Sequence, residues 1–167
     1  MSQYIFPTLS LPERLVNWQL TENGGGAPAN RLYSSNERLL NSQFSTLKLD
    51  IGGQYAGFGG SAQPVIPGKI YRVNIFYQVN AAWPNGLYLR YNESTVFPQG
   101  GFVTFGNRSG VTDFIASGAI ATVNTWLSFT GNYVVPAGVN WVSPTVYAYP
   151  GPANSSIWFD WFDLVPV

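Results

Sequence analysis

The sequence predicts an all-β protein, a sandwich or barrel of short antiparallel strands, on three observations. Apolar residues alternate with polar ones at a period of two in segment after segment. Gly, Pro and Asn punctuate those segments at short intervals. Beyond one possible short turn over residues 37–44, nothing carries a helical pattern.

In residues 44–51, Leu47, Leu49 and Ile51 share one face, and Thr46, Lys48 and Asp50 share the other. In 71–79, Tyr71, Val73, Ile75, Tyr77 and Val79 alternate with Arg72, Asn74, Phe76 and Gln78. In 86–92, Leu87, Leu89 and Tyr91 alternate with Tyr88, Arg90 and Asn92. Further strands are expected over 101–105, 119–123 and 126–133. In 139–149, Val142, Val146 and Ala148 alternate with Trp141, Ser143, Thr145, Tyr147 and Tyr149, and 156–165 closes the chain. The aliphatic sets form the core between two sheets. Residues 1–30, with a Gly-rich loop over 21–31, read as an arm or edge strand, and residues 31–167 as one domain.

Composition excludes several functions. Cys and His are both absent from the 167 residues, which removes disulfides, Cys or His zinc sites and any nucleophile with a His base. Lys plus Arg equals Asp plus Glu at 8 each, and this neutrality argues against nucleic acid, whose phosphates need a cationic surface. No stretch is long and apolar enough to cross a bilayer, and the first residues lack the basic start and apolar run of a secretory signal. Charged residues are 10%, against about 25% in average domains, while aromatics reach 16%.

The outward faces carry those rings. Arg72, Asn74, Phe76 and Gln78; Tyr88, Arg90 and Asn92; and Trp141, Ser143, Thr145, Tyr147 and Tyr149 combine flat rings, amides, hydroxyls and guanidinium. A pyranose fits such a surface, its C–H face on a ring and its hydroxyls on planar donors and acceptors. The same chemistry suits a subunit interface, and both readings stand. Trp83, in the turn Ala82-Trp83-Pro84-Asn85-Gly86, is either a ligand clamp or a lid over the core. Tyr55 and Phe58 sit in the Gly-rich stretch 52–60, which lacks the Lys and helix of a phosphate loop and reads as a wide hairpin or adaptable loop.

The acids do not form a hydrolase pair. Asp160 and Asp163 are offset by three, so on a regular strand they point to opposite faces. Asp50 has Lys48 beside it, and Glu93 and Asp113 lack a partner at useful spacing. Asp160 is a candidate ligand for a structural calcium, set against a buried Asp satisfied by backbone N–H groups. The three Asn-X-Ser matches at Asn92, Asn107 and Asn154 are what chance gives in so Asn- and Ser-rich a chain.

Four segments in order resemble the jelly-roll carbohydrate-binding modules: FSTLKL over 44–49, QPVIPGKIYRVN over 63–74, WLSFTGNYVVPAG over 126–138 and IWFDWFDL over 157–164. The resemblance covers about residues 30–167 and implies a β-sandwich of jelly-roll type with two antiparallel sheets. It implies a non-catalytic module for polysaccharide or surface glycan, with its sugar site on one sheet and Asp160 at the family's C-terminal calcium position. The family's Asn-Pro-Gly-Phe-Glu opening has no counterpart here; the nearest piece is Leu15-Val16-Asn17-Trp18-Gln19, without the Glu. Such modules also occur in bacteriophage tail fibres. The expected setting is therefore a virion or extracellular adhesin, trimeric or otherwise multivalent, with rings stacking from Trp141, Tyr147 and Tyr88 and hydrogen bonds from Arg90, Asn92, Arg72, Asn74 and Gln78. The competing expectation is a virion structural or decoration protein whose aromatic face docks on a neighbouring subunit.

Overall fold

The computed structural model describes residues 18–23, 30–38, 46–51, 55–116, 118–148, 151–152 and 154–167. Its strands, in chain order, are β1 (Trp18–Asn23), β2 (Arg31–Ser35), β3 (Thr46–Ile51), β4 (Ala56–Gly60), β5 (Gln63–Pro64), β6 (Ile70–Val79), β7 (Leu87–Ser94), β8 (Gly110–Ala116), β9 (Leu127–Val134), β10 (Trp141–Ala148) and β11 (Ser155–Pro166). The helical content among the described residues is one 3-10 turn, Gln99–Gly101.

Every strand pairing among the described residues is antiparallel. The first sheet runs β1-β4-β10-β7-β8 with β5 attached to β10, and the second runs β2-β3-β11-β6-β9. The pairs are nested: β3 with β11, β4 with β10, β6 with β9, β7 with β8. A long hairpin rolled up on itself gives this order, and it is the jelly roll. Each inner pair lies on alternate sheets, so the chain crosses from one sheet to the other as it rolls.

The period-two pattern explains why these segments seal. Leu47, Leu49 and Ile51 of β3, Val73, Ile75 and Val79 of β6, Leu87, Leu89 and Tyr91 of β7, and Val142 and Val146 of β10 are all buried between the sheets. Aromatic rings fasten the sheets across the gap. Phe58 of β4 meets Phe159 of β11 edge-on at 4.9 Å, and Tyr91 of β7 meets Tyr133 of β9 at 4.4 Å. Two turns in the quoted segments lock together at one end. Gly68 has φ +77° and follows Pro67, with Lys69 N–H on the Ile66 carbonyl at 3.1 Å, a type II turn that needs glycine there. Its N–H donates to the Val135 carbonyl, and Val135 N–H donates back to Lys69, both at 2.9 Å.

Several expected boundaries change. Of residues 101–105, Gly101 ends the 3-10 turn and the rest are irregular rather than a strand, with Val103 N–H bonded to the Ser143 hydroxyl instead of joining a ladder. Of 119–123, Ile120 alone makes an isolated bridge, to Trp83. Phe58 and its flanking glycines are not an adaptable loop but β4, and Pro144 packs so close to Gly60 that an added Cβ would stand 3.0 Å from it. Residues 18–23, within the segment expected as an arm or edge strand, form an edge strand on β4, which takes residues 21–23 out of the expected Gly-rich loop. Of 37–44, Glu37 and Arg38 form a bend and the rest lies outside the described residues.

Candidate functional site

The outer face of the first sheet gathers half of the expected residues. In the β7–β10 register, Tyr88 is opposite Tyr147, Arg90 opposite Thr145, Asn92 opposite Ser143, and Ser94 opposite Trp141. Across the strands runs a row of four side chains. Tyr55, just before β4, lies nearly parallel to Tyr147, with ring centroids 6.4 Å apart and planes at 18°. Gly57 stands opposite Tyr147 in the ladder, so no β4 side chain intervenes. On the other side the Arg90 guanidinium sits 4.5 Å from the Tyr147 ring centroid. Asp113 of β8 holds that guanidinium with two hydrogen bonds, 2.8 and 3.2 Å. The ends of the row are open and its middle is covered: Tyr55 is 42% exposed, Tyr147 only 9%.

Thus Tyr147, expected to be a stacking platform, supports its neighbours instead, and the open ring is Tyr55. Sequence reasoning placed Tyr55 in a loop and did not count it. The available signal was its period-two spacing from Gly57 and Gly59.

The other half of this face is covered by the segment 95–109. Val103 N–H donates to Ser143 Oγ at 2.9 Å, Arg108 Nη1 donates to Asn92 Oδ1 at 3.1 Å, and Asn92 Nδ2 donates to Thr145 Oγ1 at 2.9 Å. Asn92 is fully buried, so its amide serves that segment. Beyond it, Trp141 is half-buried with Phe97 edge-on at 4.8 Å, and Val96, Phe97 and Phe105 are exposed. Trp141 and Tyr147 stand at opposite ends of β10, about 20 Å apart at some 3.3 Å per residue.

The β6 set lies elsewhere. Arg72, Asn74, Phe76 and Gln78 face outward from the second sheet, opposite Val165, Asp163, Trp161 and Trp158 in the ladder. The two outer faces are separated by the thickness of a sandwich whose sheets alone are about 10 Å apart. These residues therefore do not share one site with Tyr88, Arg90 and Trp141. Gln78 is buried and accepts a hydrogen bond from Arg38, and Asn74 Oδ1 accepts from Thr130 Oγ1 at 2.8 Å. The same face holds Arg38 4.0 Å over the Trp158 ring, Lys48 bridged to Glu37 at 2.9 Å, and Asp50 accepting from Tyr33 and Ser156 at 2.8 and 2.6 Å. Burial pushes the Tyr33 hydroxyl up, and the Asp50 carboxylate adds to it. Lys48 is raised on balance: burial opposes its charge, but hydrogen bonds to Tyr33 and Glu37 and the Asp50 charge outweigh that.

Trp83 is a lid. Its ring is fully buried, and its backbone exchanges hydrogen bonds with Ile120 at 2.7 and 2.8 Å. Tyr149 lies outside the described residues. Asp160 stands at a register shift between Phe159 and Trp161, an irregularity that breaks the simple parity between Asp160 and Asp163, and nothing is described of its side chain. Among the described residues no three acids gather as a metal cage. Asp113 is on the outer face of the first sheet, Asp50 on that of the second, and Glu93 between them. Glu93 accepts from Tyr133 Oη at 2.9 Å and Thr112 Oγ1 at 2.6 Å. Burial, then the Glu93 charge, pushes the Tyr133 hydroxyl far up.

A scan of protein-family models and a search of curated proteins find no match. Solved structures do match. The enzymatically active domain of tailspike protein 4 from bacteriophage CBA120 aligns with 96% of this chain at 14% identity and a TM-score of 0.66. This chain spans 21% of that one. A family 16 carbohydrate-binding module aligns with 80% of this chain and 84% of its own, at 13% identity and TM-score 0.57. The xylan-binding CBM22-1 domain of Paenibacillus barcinonensis Xyn10C aligns with 100% of this chain and 93% of its own, at 11% identity and TM-score 0.56. The fold is therefore the jelly-roll sandwich on which carbohydrate-binding modules are built.

Proposed function

We propose that the protein is a non-catalytic module that binds a polysaccharide or surface glycan on the outer face of its first sheet. The observation that carries this is the row Tyr55–Tyr147–Arg90–Asp113, with an open ring at one end and an anchored guanidinium and carboxylate at the other. A sugar would lay its C–H face on Tyr55 and Tyr88 while its hydroxyls meet Arg90 N–H groups and the Asp113 carboxylate. Tyr147 would hold both ends in place. Trp141 with Phe97 gives a second platform farther along the same strand. The separation of Asp50, Glu93 and Asp113 onto three surfaces supports binding without hydrolysis.

Each hydroxyl contact replaces one to water, so single-site affinity is modest and repetition supplies avidity. That arithmetic, together with the tailspike likeness, supports a place on a phage tail fibre or another extracellular adhesin, as a trimer or larger array. A second reading, docking on a neighbouring virion subunit, draws on the exposed Val96, Phe97 and Phe105.

The test is a bacterial-polysaccharide and glycan array probed with the full chain presented multivalently. Binding is expected for the wild type and for Arg72→Ala on the second sheet, and is expected to fall in Tyr55→Ala and Arg90→Ala. Absence of wild-type binding, with self-association lost in Phe97→Ser, would transfer the case to the subunit interface.

A further inference from the structure

Where the two sheets end side by side, a cleft of about 60 Å³ enters the sandwich. Leu87, Leu89 and Val146 line it from the first sheet, Ile75, Tyr77 and Phe129 from the second. Its position follows from the topology. Sheet two ends at β9, and β8 pairs with β7 as far as Ala116 opposite Tyr88. Among the described residues the β7–β8 ladder stops there, one residue short of Leu87. Tyr88 and Ser128 complete the lining.

Tyr88 links this cleft to the proposed glycan face. It is the cross-strand partner of Tyr147 and stands two residues from Arg90, about 7 Å along the strand. We propose that the cleft takes a short acyl substituent, such as an acetyl ester, carried by a glycan bound on that face; this rests on the glycan reading above. The volume selects the occupant. One water needs roughly 10–15 Å³ on this measure, so the cleft holds on the order of four to six such units, enough for an ester group and its methyl. A sugar ring is too large, and its hydroxyls would be stranded against aliphatic walls. Tyr77 and Ser128 in the lining are the candidate hydroxyl donors to the ester carbonyl, while Leu87, Val146 and Phe129 would cover the methyl.

Two measurements on the full chain test this. In the first, ethyl acetate is titrated into methyl-labelled protein and followed by NMR. Saturable shifts confined to the methyls of Ile75, Leu87, Leu89 and Val146 are expected. In the second, every array polysaccharide is spotted both native and after alkaline de-esterification. Burying a methyl and its carbonyl carbon predicts a preference for the esterified form of about five- to fifteenfold. Leu87→Phe, which narrows the cleft, should erase the preference, and Ser128→Trp at the exposed rim should do the same without touching the core. Absence of methyl shifts, or equal binding of both forms, overturns the proposal. Methyl shifts with no polysaccharide bound in either form would bring down the glycan reading and the glycan as carrier, while leaving an acyl-binding cleft established.

Discussion

Replacing Trp83 with alanine separates a lid from a ligand clamp. The ring is 0% exposed and belongs to the core cluster. A methyl group placed on Gly151 would stand 2.5 Å from it, so the backbone itself is pressed against the indole. Truncating a buried Trp costs about 3–5 kcal/mol in lost transfer energy and cavity formation. That is a large share of the roughly 5–15 kcal/mol that holds a domain folded. For a chain of this size each kcal/mol moves Tm by about 2–4 °C, so Trp83→Ala should melt about 6–20 °C below wild type. Differential scanning calorimetry measures this, with glycan binding by the folded fraction compared at a temperature well below both transitions. The expected result is a large fall in Tm with binding per folded molecule unchanged. A Tm within about 2 °C of wild type together with lost binding would refute the reasoning and restore Trp83 as a clamp. Gly151→Ala, acting on the same ring from behind, should cost about 1–3 kcal/mol by overpacking.

Alkaline titration should show a loss of stability from about pH 10 upward. The Tyr33, Tyr77 and Tyr133 hydroxyls are all raised by burial, and Lys48 is raised as well. Above about pH 10 the unfolded chain releases protons that the folded chain still holds, so this contribution is complete below that pH and is lost above it, by about 1.4 kcal/mol per pH unit for Tyr133, whose hydroxyl is pushed farthest up. Urea midpoints between pH 9 and 11.5 measure the slope, and Tyr133→Phe should flatten it by one proton; an unchanged slope would remove Tyr133 from the account. Gly68→Ala meets open space but sits at φ +77°, so it should cost about 1–2 kcal/mol in urea unfolding from backbone strain alone. Glu93→Ala strands the Tyr133 and Thr112 hydroxyls and should cost about 2–4 kcal/mol; a loss below 1 kcal/mol would show that water replaces the carboxylate.

The strands with strict alternation were legible because burial on one face leaves a period of two. β3, β6, β7 and β10 carry that pattern in the sequence and lie inside their sheets, whereas β11 does not alternate and its ladder shifts register between Phe159 and Trp161. β4 was hidden because its glycines carry no side chain to alternate, although Phe58 fills the core. β8 was missed because Gly110–Ala116 is one short edge strand with Val111 exposed. Face assignment within each strand was legible; sheet assignment was not. Period two says which residues point away from the core and nothing about which of two layers they leave. The nested pairing of a jelly roll sends β6 and β7, neighbours in sequence, to opposite sheets, and this divided the expected site.

The contacts on the two outer faces support placing the proposed site on the first sheet. Both carry rings and cations in contact. On the second, Arg38 covers Trp158, which is 3% exposed, Lys48 is bridged to Glu37, and Asp50 is filled by Tyr33 and Ser156. Around Trp158 those charges answer each other over a sealed ring. On the first, the internal contacts run along a line whose ends stay open. Arg90 gives two donors to Asp113, whose carboxylate side chain stays 49% exposed at the end of the row. Tyr55 spends one face on Tyr147 and remains 42% exposed. An aromatic–cation row becomes a binding surface when its supporting contacts fix the geometry without consuming the groups, and of these two faces the first meets that condition.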